Sequence, residues 1–122
     1  MLLVSSLLKR EEHIGLVEAT VPDSGPMVYD GRVLDEYLVE ILAQSMAVID
    51  GYDSVREGKP PSGGFLVGLK RFNIHMRPVP GGSLVISLVK LFEFGPMTIM
   101  EGQVSSDGRV LAKGELKVWI PE

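Results

Sequence analysis

The run Leu34-Asp-Glu-Tyr-Leu-Val-Glu-Ile-Leu-Ala-Gln-Ser-Met-Ala-Val-Ile-Asp50 constrains the fold more than any other stretch of this chain. It alone is long and periodic enough to promise a sustained helix. Leu34, Tyr37, Leu38, Ile41, Leu42 and Ile49 recur at spacings of three, four and seven, which places them on one helical face. At about 100° per residue, Glu36, Glu40, Ala43, Gln44 and Ala47 gather on the other face. Asp35 and Glu36 fall in the first turn, where the positive end of the helix dipole favours carboxylates. Gly51 is the expected stop, and the polar stretch Tyr52 to Gly64 the expected loop after it. A helix apolar around most of its girth is usually buried. Glu40 is therefore expected inside, at the wall of an elongated apolar pocket. There it needs Gln44 or backbone donors, because an unpaired buried charge is too costly to keep.

Strands flank this helix on both sides. Residues 2 to 9 and 13 to 21 read as two strands joined by the charged turn Lys9-Arg10-Glu11-Glu12. In the second, His13, Gly15, Val17, Ala19 and Val21 point one way and Ile14, Leu16, Glu18 and Thr20 the other. Pro22-Asp-Ser-Gly-Pro26 ends it, and Met27 to Val33 is a connector that can turn at Asp30-Gly31. After the loop come four more strands: Phe65 to Met76, Ser83 to Phe94, Met97 to Ser105 and Arg109 to Ile120. Pro78-Val-Pro-Gly-Gly82, Gly95-Pro96 and the Asp-Gly hairpin Ser106-Asp107-Gly108 separate them. Two strands, one long helix and four antiparallel strands make an α+β domain, in which sheet and helix each have an apolar face to bury.

Composition removes several classes of function. The 122 residues suffice for one core, so a single domain over 1–122 is expected. A net charge of −4, with no basic run, offers no footprint for nucleic acid or a membrane surface. The apolar start Met1-Leu-Leu-Val-Ser-Ser-Leu-Leu is broken at Lys9 and lacks a preceding basic region, which fits neither a signal peptide nor a membrane span. The absence of cysteine excludes disulfide and thiolate chemistry and agrees with a cytoplasmic setting. Two scattered histidines, His13 and His75, give no metal-ligand spacing, and no nucleotide or cofactor motif is present. Neither a metal nor a cofactor is expected.

Glu40-Ile-Leu-Ala-Gln44 resembles the Glu-x-x-Ala-Gln signature of the β-hydroxyacyl-acyl-carrier-protein dehydratases. Gly64-Phe-Leu-Val-Gly68, Val79-Pro-Gly81 before a long strand, and Asp107-Gly-Arg-Val-Leu-Ala-Lys-Gly114 also fall where that family has them. The chain is most similar to the dehydratase-like subfamily of aryl-polyene-type clusters, and the resemblance spans roughly its whole length. It implies a hotdog fold, with about six antiparallel strands wrapped around one long central helix. It implies dehydration of 3-hydroxyacyl thioesters of acyl carrier protein or CoA, within fatty-acid or polyene-type lipid synthesis. It also implies a homodimer, or a heterodimer with a related dehydratase, since open strand edges favour pairing about a two-fold axis.

The chain departs from the family in two places. Active dehydratases carry a Gly-His-Phe-Pro type motif before the helix, whose histidine works with the helix carboxylate. Here that stretch is Asp30-Gly31-Arg32-Val33, and a guanidinium cannot act as a base near neutral pH. The family's Pro-His-x-x-Pro-Met segment is also missing, the sequence beginning as if at that motif's methionine.

Dehydration needs a base for the α-proton, an acid for the leaving hydroxyl and a donor to the thioester carbonyl. Glu40 is the candidate acid, and Gln44 would orient it or hold substrate. Gly31 and Gly68 would let an acyl chain or pantetheine arm approach the backbone closely, with Arg32 beside them. His13 and His75, each in a strand far from Glu40, read as structural or solvent-exposed. Lys70, Arg71 and Arg77 form a modest basic patch that could meet an acidic carrier protein. The methionines read as core fillers. Besides dehydration, the residues allow a hotdog thioesterase using Glu40, or a non-catalytic acyl-binding subunit of an active dehydratase.

Overall fold

A computed structural model describes residues 3–60 and 62–121. Its first two strands are β1 (Val4–Arg10) and β2 (Ile14–Thr20), followed by the short pair β3 (Val28–Tyr29) and β4 (Arg32–Val33). The helix α1 (Asp35–Glu57) comes next, then β5 (Phe65–Ile74), β6 (Ser83–Phe94), β7 (Met97–Ser106) and β8 (Arg109–Trp119). Six strands form one antiparallel sheet in the order β1-β2-β6-β7-β8-β5, with α1 packed against one face. This is the hotdog arrangement. Leu2, with which the first expected strand opens, lies outside the described residues, as does Met1.

Alternation along the strands decides which side chains meet the helix. Val17 and Ala19 of β2, Leu84, Ile86 and Leu88 of β6, and Leu116 of β8 are essentially inaccessible. From the other side Tyr37, Leu38, Ile41, Leu42 and Ile49 of α1 close the core, on the face the periodicity assigns. Gly15 sits beneath Ile49, where a Cβ would collide with that side chain, so the helix approaches β2 closely there.

The connector before the helix is more regular than its sequence suggests. Val28 and Tyr29 pair with Val33 and Arg32, and the loop between them has φ of 52° at Asp30 and 73° at Gly31. Two consecutive positive φ values mark a primed hairpin turn, for which Asp-Gly is a preferred pair. The N–H of Leu34 donates to the carbonyl of Met27 at 2.8 Å and brings the chain to the first helical turn.

Gly51 does not end the helix. The helix continues through Tyr52 to Glu57, and Gly58, at φ 68°, provides the left-handed cap. Its N–H and that of Lys59 return to the carbonyls of Val55 and Ser54. A glycine within a helix costs about 1 kcal/mol relative to alanine, and tertiary contacts in the added turns outweigh it. Ser54 is buried, and Arg10 of β1 holds Asp53 through Nε at 3.0 Å and Nη2 at 2.8 Å. The expected loop over Tyr52 to Gly64 thus shrinks to the residues after Glu57.

The edges of the sheet differ. β1 carries two register shifts within seven residues. β5 is longer and bulged near Val67 and Arg71, the latter at φ 54°. It pairs with β8 on one side only.

Candidate functional site

Glu40 and Gln44 stand one turn apart on α1, so both project from one stripe of the helix. The Gln44 Nε2 donates to Glu40 Oε1 at 3.1 Å, and Gln44 Oε1 accepts the backbone N–H of Leu3 at 2.6 Å. The amide thus ties the carboxylate to the start of the chain, and both ends of its dipole are used. Leu3 was not legible as a partner, because nothing in an isolated backbone N–H signals a contact across 41 residues.

Glu40 is not buried. It is exposed in the single chain, as are Glu36 and Ala47, while Ala43 and Gln44 are half-buried. Glu40 also lines none of four hollows among the described residues of the single chain. The physical reason is that one sheet can cover only one side of a helix. The stripe containing Glu36, Glu40 and Ala47 is left facing outward, with the hydrogen bond to Gln44 intact.

Arg32 and Gly31 occupy the hairpin directly before the helix and are both exposed. That hairpin is fastened by a residue the sequence reading assigned only to a surface patch. Arg77, after β5, donates from Nη1 to the Val33 carbonyl at 3.1 Å and to Asp35 Oδ1 at 2.7 Å. Arg71 is likewise engaged, with Glu115 at 3.3 Å, so two of the three cations in the presumed patch are paired. Gly68 lies elsewhere. It sits opposite Lys117 on β8, in a hollow of the sheet's outer face that also includes Phe92 and Ile99, and is not brought beside Glu40.

His13 follows the β1–β2 turn, exposed and 3.9 Å from Glu12. His75 is exposed in a shallow hollow with Asp35 and Arg77 near the start of α1, its backbone N–H donating to the Leu111 carbonyl. Neither makes a hydrogen bond to Glu40 or Gln44 among those described. The helix also buries two hydroxyls, of Tyr37 and Ser45, that find no hydrogen-bond partner among the described residues. Burial pushes the Tyr37 phenol up to about 12. Met27, Met46 and Met100 pack against the core, whereas Met76 is exposed.

Chemically, the arrangement offers a solvent-accessible carboxyl group oriented by an amide. A carboxyl so placed can deliver or accept one proton. The position before the helix presents Arg32, which cannot take one. A family model described as ApeP-like, ApeP dehydratase, matches residues 1–122. The chain belongs to that family.

Among solved structures, this ApeP-like chain superposes on the dehydratase heterocomplex ApeI:P from Xenorhabdus doucetiae with a TM-score of 0.87. The sequences are 23% identical, over 99% of this chain and 84% of that one. A hypothetical thioesterase protein with coenzyme A from Streptococcus pneumoniae TIGR4 matches at 0.76, with 15% identity over 94% of this chain and 86% of that one. The uncharacterized protein PH1136 from Pyrococcus horikoshii matches at 0.71, with 19% identity over 98% and 85%. At these identities the likeness establishes the fold alone. No curated protein matches the sequence. Among the described residues no helix is long and apolar enough to cross a membrane.

Proposed function

We propose that this chain supplies the carboxyl half of a composite site that dehydrates 3-hydroxyacyl thioesters, the base coming from a histidine-bearing relative. One observation carries the reading. Glu40 is presented on the uncovered helix face, held by Gln44, while the position expected to bear the base holds Arg32. A catalytic carboxylate left facing outward is completed when a second subunit covers it. The free edge of β5 is the natural seam, since its unpaired backbone groups can continue the sheet into a partner.

In the reaction, the partner's base removes the α-proton and the electrons form the α,β double bond. The β-carbon–oxygen bond breaks, and Glu40, as the carboxylic acid, protonates the departing hydroxyl as water. Gln44 fixes the carboxyl so that its proton faces the leaving group. The product is an enoyl thioester, on acyl carrier protein or CoA, within fatty-acid or polyene-type lipid synthesis in the cytoplasm.

The test follows enoyl-thioester formation by this protein alone, a histidine-bearing relative alone, and the mixture. The isolated protein is expected to be slower than the mixture by about 10²–10⁴-fold, the usual worth of a positioned base. Glu40→Gln should abolish the gain on mixing and leave assembly intact. Brisk turnover by the pure protein would overturn the composite site and direct attention to His75 or His13. A second reading, thioester hydrolysis with Glu40 as base or nucleophile, is favoured by the likeness to a thioesterase seen with coenzyme A. Release of free thiol instead of enoyl product would select it. Neither product would leave the role of a non-catalytic acyl-binding subunit.

A further inference from the structure

A cavity among the described residues lies under the C-terminal half of α1, away from Glu40. Met46 is six residues beyond Glu40 and Asp53 thirteen, which is roughly 9 to 20 Å along a helix axis. The cavity measures about 140 Å³. Met46 and Ile49 of the helix face Met100 and Val118 of the sheet across it, with Ile120 beside them. A volume of this order accommodates a group of about six carbons.

Two features make it more than a packing gap. Thr98 of β7 lines it while only 4% exposed, and its hydroxyl makes no hydrogen bond among the described residues. With no protein partner among them, the hydroxyl is available to a ligand that enters the cavity. The rim, moreover, has its charges already committed. Arg10 holds Asp53 at 2.8 Å, and Lys90 holds Glu93. Asp50 accepts from the Ser62 N–H at 3.1 Å and from Ser62 Oγ at 2.7 Å. Two cations, Arg10 and Lys90, stand against three carboxylates, Asp50, Asp53 and Glu93, an excess of one negative charge. No cation is left over to receive an anion.

We infer that this cavity is a binding site for a small, neutral, largely apolar molecule or end group that carries a hydroxyl. The apolar body sits against Met46, Met100 and Val118, and its hydroxyl pairs with Thr98. A carboxylate of the same length is rejected by the acidic rim. The inference does not rest on the proposed dehydration, because the cavity shares no lining residue with the Glu40–Gln44 pair.

The test uses the whole chain labelled at its methionine methyl groups, titrated with 1-hexanol and separately with hexanoate. Saturable shifts are expected for Met46 and Met100, with Met27 and Met76 unmoved. Hexanoate should bind at least tenfold more weakly. Thr98→Val, which keeps the shape and removes the hydroxyl, should weaken 1-hexanol about five- to tenfold, the usual worth of one hydrogen bond. Its methionine spectrum without ligand should match that of the parent. Absence of saturation at Met46 and Met100, equal binding of hexanoate, or unchanged affinity in Thr98→Val would each overturn the inference. Enoyl-thioester formation, measured alongside, would be unaffected by Thr98→Val if the two sites are separate.

Discussion

Gly102 of β7 and Gly114 of β8 face each other across the sheet, and each is buried, but for different reasons. A Cβ on Gly114 would stand 2.8 Å from the Phe72 Cα and 2.8 Å from its Cδ1, where the bulged β5 crosses β8. A Cβ on Gly102 would meet only methyl groups: Leu116 Cδ1 at 2.5 Å, Leu42 Cδ2 at 3.0 Å and Leu88 Cδ2 at 3.5 Å. Neither glycine has a positive φ, so alanine itself is not strained at either place. Overpacking costs about 1–3 kcal/mol, and Gly→Ala returns about 0.4–1 kcal/mol by restricting the unfolded chain. Backbone cannot step aside as a leucine methyl can. Gly114→Ala should therefore take the top of that range, a net loss of about 2 kcal/mol. Gly102→Ala, relieved by rotation of Leu116, should lose no more than about 1 kcal/mol. Urea unfolding at one fixed protein concentration measures both, through the midpoint at constant slope. The reasoning fails if Gly102→Ala proves the more damaging, or if Gly114→Ala unfolds with the parent.

Other expectations concern single groups. Because burial raises the Tyr37 phenol from 10.0 to about 12, the folded state keeps a proton that the unfolded chain loses as pH rises past 10. Stability should fall between pH 10 and 12, by up to about 1.4 kcal/mol per pH unit, and urea unfolding of Tyr37→Phe should lack that part of the fall. The Arg10 guanidinium holds the Asp53 carboxyl below its usual range, so the stability it gives is present above about pH 4 and is lost as pH falls through the lowered value. With both side chains mostly covered, Asp53→Asn should cost about 1–2 kcal/mol at neutral pH and flatten the acid limb of unfolding. Arg77→Met should free the hairpin before the helix. Amide exchange at Leu34 should then quicken several-fold while exchange in β6 and β7 stays unchanged.

The sequence determined what depends on local pattern. Tyr37, Leu38, Ile41, Leu42 and Ile49 had to share a face because helical geometry fixes their angles. The strand alternation from Gly15 to Val21 is just as binding, since one slipped residue would turn every core side chain outward. Gln44 was legible as the partner of Glu40 for the same reason, being one turn away. Tertiary structure decided the rest. Gly51 stayed helical because β1 reaches Asp53 through Arg10, a contact between residues 43 positions apart. Arg77 became a clamp on the helix start because the turn after β5 returns to Val33 and Asp35. The exposure of Glu40 was decided there too. Periodicity gives two helical faces, but which of them a sheet covers depends on sheet area, and one six-stranded sheet covers one.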